Sequence, residues 1–170
     1  MSESAEEKRK RRLINNLKKY QWKYQYSIYP APLNSDKSED EAIAKFALLE
    51  HDRILRRKLG EQFPDTAIMF EFRRMLVPRK IWTLYKGDQI YITLHTSKEL
   101  DKTKLGDLVK WVYPEDAKLN SRPVTNERIE ENINSIKKQR LHSQITRDNG
   151  TRVNRFSMIN EEHLIPVSVV

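Results

Sequence analysis

A chain of 170 residues, 33% of them charged and only 38% hydrophobic, can bury one modest core, which excludes two independently folded domains. Its formal net charge of +8 points to an acidic partner, most commonly nucleic acid, because released counterions reward each cation that approaches a phosphate. Cysteine is absent, which rules out disulfides and thiolate metal sites, and no apolar run approaches the length of a bilayer.

The chain opens on acidic residues, Met1 to Glu7, unlike an organellar transit peptide. Lys8, Arg9, Lys10, Arg11 and Arg12 follow, and Leu13, Ile14, Leu17 and Tyr20 then give a basic amphipathic helix. The pentabasic run suits a nuclear localisation signal or an arm lying on nucleic acid, and equally a solvated tail. Tyr20, Trp22, Tyr24, Tyr26 and Tyr29 follow Lys18 and Lys19, with Lys23 among them, and end at Pro30-Ala31-Pro32. Such rings stack on exposed bases or pin the arm to its own domain, and the cost of leaving five of them in water favours pinning.

Ser38 and Glu41 have capping-box spacing, and Gly60 is placed to stop the helix they begin. Residues 65–77 fit a strand, with Ile68, Phe70 and Phe72 alternating, and fit a helix nearly as well; Pro78 ends either one. From Trp82 onward the pattern is strand-like: Ile90, Ile92 and Leu94 alternate with Tyr91, Thr93 and His95. Gly87-Asp88 precedes this strand, Lys98, Lys102 and Lys104 follow it, and Gly106 leads into Leu108 to Val112. Two of the four glycines thus bracket a lysine-bearing bend, where close backbone approach is expected. The segment reads as a small twisted barrel that presents a cationic loop.

Asn126 is placed to cap a polar helix with Ile129, Ile133 and Ile136 on one face, a stripe suited to a surface or a partner. Asp148-Asn149-Gly150 predicts a tight turn pairing residues 143–147 with 151–156. The apolar end, Leu164 to Val170, is expected to add a strand. The expected organisation is an arm over 1–37, a docked helix over 38–62, a barrel core over 63–124, and a C-terminal helix with closing strands over 125–170.

Catalytic chemistry is not evident. His51, His95, His142 and His163 lack the spacing of metal ligands on a helix, and neither a phosphate-binding glycine loop nor a nucleophile elbow is present. A nuclease site can be assembled from Asp65, Glu71 and Lys80, but loose triplets of this kind arise by chance in any charged chain. The expectation is no enzyme, no metal, no cofactor and no small-molecule substrate.

Residues 82–112 resemble the KOW motif of a family of large-subunit ribosomal proteins. The resemblance is carried by Gly87-Asp88, the strand Gln89 to Leu94, the loop lysines Lys98, Lys102 and Lys104, and Gly106 before Leu108 to Val112. Ile165 to Val169 is similar to a closing strand of fungal mitochondrial members. The resemblance covers about a fifth of the chain and departs where His95-Thr96-Ser97 stands in place of the usual glycine. It implies an α+β protein, a small SH3-like β-barrel with flanking helices and basic extensions. It further implies a structural role in a mitochondrial large subunit, among neighbouring proteins. Ribosomal RNA would be bound through Lys86, Lys98, Lys102 and Lys104 and the Lys8 to Arg12 arm, with Gly87, Asp88 and Gly106 shaping the turn. The alternative is a nuclear adaptor in a chromatin, replication or RNA-processing complex, using the capped helix from Ser38 and the isoleucine stripe to bind partner proteins.

Overall fold

The computed structural model describes residues 3–29, 38–76, 88–113, 117–138, 142–146 and 152–167; for 38–49, 73–76, 88–91, 142–146 and 152–154 it describes the backbone only. The protein is α+β. Its main sheet is antiparallel and open, in the order β4-β1-β3-β2-β7, built from Tyr24–Tyr29 (β1), Ile68–Leu76 (β2), Asp88–Thr96 (β3), Lys118–Pro123 (β4) and Phe156–Ile159 (β7). Strands β4 and β7 are its two edges and do not pair, so the sheet does not close on itself as the expected barrel would. A separate pair, His142–Thr146 (β5) and Arg152–Asn154 (β6), forms the expected hairpin; the turn at Asp148 to Gly150 lies outside the described residues.

Alternation along the central strands sends side chains to two covered faces. Tyr26, Ile28, Ile68, Phe70, Phe72, Ile92 and Leu94 form one core with the helices Ser38–Gln62 (α2) and Lys102–Val112 (α3). On the other face Met69 and Phe156 pack with Trp22 and with the helices Ala5–Lys19 (α1) and Asn126–Lys138 (α4). Helices therefore cover the sheet on both sides, as layered architecture requires when neither face is left to water.

Several expectations change. Residues 102–112 are a helix, not a loop followed by a strand. Asp101 caps it by accepting from the Lys104 amide at 3.1 Å, and Leu105, Leu108, Val109 and Val112, spaced as one helical face, are all buried. Helix α2 runs past Gly60 to Gln62, so that glycine is not a stop; it faces β7, where an added Cβ would lie 3.5 Å from Ile159. Thr125, not Asn126, caps α4, its Oγ1 accepting from the Arg128 amide at 3.1 Å. The ambiguous stretch 68–76 is strand, and the aromatic arm is strand β1 inside the sheet. The rings do pin the arm, since Tyr26 Oη accepts from the Leu100 amide at 2.8 Å and the Trp22 indole donates to the Asn16 carbonyl at 2.9 Å. The C-terminal segment bridges at Pro166 to Tyr20, with the Gln21 amide donating to Ile165 at 2.8 Å.

Candidate nucleic-acid interface

Helix α1 carries the most lopsided charge of the described elements, seven cations against two acids in 15 residues. Ser4 caps it, accepting from the Glu7 amide at 3.1 Å, and Glu6 and Glu7 lie in the first turn where the helix dipole favours them. Leu13, Asn16 and Leu17 face inward and dock the helix on α4 and the sheet. The pentabasic run is thus part of a packed helix, and its members divide. Arg9 turns toward edge strand β7 and donates to the Phe156 carbonyl at 2.7 Å, and burial together with nearby Arg56 lowers its pKa. Arg12 forms a two-pronged pair with Glu161, at 2.8 and 2.5 Å, and Arg11 meets Glu3 at 3.1 Å. Lys10 is half-buried; Lys8, Lys18 and Lys19 are exposed and, among the described residues, meet no carboxylate at ion-pair distance.

The loop lysines lie on the other side of the sheet. Lys98 donates to the Asp65 carbonyl at 3.2 Å, Lys102 is exposed at the first turn of α3, and the Lys104 ammonium sits 5.3 Å from the Phe63 ring centre. Lys86 and Gly87 lie outside the described residues, as does the Asp88 side chain at the start of β3. Gly106 is inside α3, and nothing lies within 4 Å of a Cβ added there, so no close approach inside the protein accounts for it. Glu99, Asp101 and Asp107 are interleaved with these lysines, so the bend is far less one-sided in charge than α1. The expected site is therefore split between the two helical layers.

Two features were not anticipated as sites. Trp111, read as part of a strand, is exposed on α3. The sheet face beneath α1 and α4 holds a buried polar group: Gln25, Ser27, Glu71, Thr93, His95 and, from α4, Asn132. His95 Nε2 lies 3.1 Å from Gln25 Oε1 and Nδ1 lies 3.3 Å from Asn132 Nδ2, an arrangement that places the imidazole proton on Nε2. Burial, with Arg128 adding to it, lowers the His95 pKa to about 3, so the ring is neutral. The period-two pattern put Thr93 and His95 on one face; that the face is covered was not legible locally. Of the loose nuclease triplet, Asp65 is exposed after α2, Glu71 is buried on β2, and Lys80 is outside the described residues. Among the described residues, no three His, Cys, Asp or Glu side chains are placed to hold a metal, and no helix is long and apolar enough to cross a membrane.

No family model and no curated protein matches the chain. Among solved structures it is similar to the crystal structure of the hypothetical protein ORF119 from Sulfolobus islandicus rod-shaped virus 1, with a TM-score of 0.41 and 14% identity over 74% of this chain and 87% of that one. That degree of likeness carries no functional argument.

Proposed function

We infer that the protein is a non-enzymatic RNA-binding component of a ribonucleoprotein assembly, with the exposed side of α1 lying along RNA phosphates. The observation that carries this reading is the charge of α1: an otherwise docked helix keeps Lys8, Lys18 and Lys19 in water with no carboxylate at ion-pair distance among the described residues. Lys18 and Lys19 suit the dipole at the end of the helix, but seven cations on one helix still repel one another, and a polyanion would relieve that repulsion. Contacts of this kind read backbone charge and shape and not base identity. A place in a mitochondrial large ribosomal subunit is the narrower form of the reading, and it rests on the sequence resemblance alone. Because residues 102–112 are helical, the resemblance supplies no geometry for the RNA contact. The adaptor alternative is weakened at one of its two expected partner sites, since Ile133 and Ile136 are buried against the chain's own α1 layer and Ile129 packs on the same cluster.

The test is titration of a folded RNA hairpin with the full chain at several salt concentrations. Replacing Lys8, Lys18 and Lys19 together with glutamine is expected to weaken binding and to flatten the plot of log affinity against log salt by roughly 2 to 3 in slope. An unchanged slope would show that α1 does not touch phosphate.

A further inference from the structure

The helix α3 buries Leu105, Leu108, Val109 and Val112 and leaves Trp111 beyond that stripe, 63% exposed, the one exposed aromatic side chain among the described residues. An exposed indole offers a flat, rigid π-face with a polar edge, the form of side chain suited to holding a planar ligand. The ring is nonetheless held: the Lys58 ammonium of α2 lies 5.4 Å from its centre, and Glu61 fixes that ammonium at 3.3 Å. A reciprocal contact crosses the same seam, with Lys104 of α3 over Phe63 at the end of α2. Lys110, exposed on α3, is the residue before the tryptophan.

We propose that the open face of the Trp111 indole is a stacking platform for an unpaired base of single-stranded RNA, with Lys58 beside the ring and Lys104 and Lys110 exposed on α3 for the flanking phosphates. The proposal rests on the RNA-binding reading and extends it from backbone contacts on α1 to a base contact on the opposite layer. A protein partner anchored by tryptophan would bury the ring at the centre of a patch depleted of charge. Here Lys58 lies against the ring, and Lys104, Asp107 and Lys110, exposed on α3 before it, are all charged, which suits a π-face beside a charged backbone. A cation on one face of the ring leaves the other face for the base, and it fixes the indole before the base arrives, which lowers the ordering cost of binding.

The experiment uses the full chain with a fluorescein-labelled ten-nucleotide oligouridine and, separately, a blunt RNA duplex. The unmodified chain is expected to bind the oligouridine with quenching of tryptophan fluorescence. Trp111→Ala should weaken that binding about tenfold and abolish most of the quenching, Trp111→Tyr should restore most of the affinity, and duplex binding should be unchanged in both. Because the side chain is exposed, both variants are expected to fold, and matching circular dichroism checks it. Equal oligouridine affinity for Trp111→Ala and the unmodified chain, with salt-dependent binding retained, would overturn the stacking platform while leaving the α1 reading in place. Absence of salt-dependent binding to either RNA would overturn both.

Discussion

His95 shows how a single side chain ties the layers together. It sits on the central strand β3 in register with Gln25 of β1 and Met69 of β2, and it reaches Asn132 of α4 across the interlayer space. Protonation would place a second N–H against the Asn132 amide donor, near the charge of Arg128, in a buried site that disfavours the charged ring. Its pKa in the folded state lies near 3, below the ordinary value of 6.5, so the unfolded chain binds the proton first. Stability is therefore full above about pH 6.5 and is lost as pH falls toward 3. The expected loss from this residue between pH 7 and pH 5 is on the order of 2 kcal/mol, measured by urea unfolding. His51, also lowered by burial, adds to the loss in the same direction, so the readout is the difference between the unmodified chain and His95→Gln. The variant should lose much less over that interval; equal losses would show that the ring is not held neutral.

At the scale of elements, α3 is where expectation and structure part most sharply. The residues that make it a helix were all visible: Leu105, Leu108, Val109 and Val112 at helical spacing, after Asp101 in a capping position. The stretch from Leu108 to Val112 also reads as a short hydrophobic strand, and a glycine at 106 reads as a break. In the structure the helical period wins because it aims four apolar side chains at one sheet face, whereas a strand would have aimed about half of them at water. Gly106 then has no role in a turn, and it carries the usual entropic penalty of glycine within a helix. Gly106→Ala is expected to stabilise the protein by roughly 0.5 to 1 kcal/mol, seen as a higher urea midpoint with unchanged slope. A lowered midpoint would contradict the helical assignment. The strand β3 and the helices α1, α2 and α4 were legible from their periods, whereas β2 was not, because Ile68, Met69, Phe72 and Leu76 fit a helical stripe as well as Ile68, Phe70 and Phe72 fit a strand. Strand β7 was not anticipated as an edge of the main sheet, because four residues, Phe156 to Ile159, carry too little local pattern to say which strand they join.

On the scale of the whole molecule, the folded chain puts its two sets of cations on opposite helical layers, a separation that linear order conceals. The Lys8 to Arg12 run and the Lys98 to Lys104 run each read as basic segments, and nothing local says that a five-stranded sheet lies between them. Nor does linear order show that Arg9 and Arg12 are committed to the fold, through Phe156 and Glu161, residues nearly 150 positions away. The legible part of the candidate site was its composition; the hidden part was which cations remain available. The packed α1 leaves Lys8, Lys18 and Lys19 in water. The most direct measurement is amine acetylation of the full chain with and without a folded RNA hairpin, read lysine by lysine by mass spectrometry. The account predicts that bound RNA protects Lys8, Lys18 and Lys19; unchanged reactivity at all three, under conditions where the RNA is bound, would contradict it.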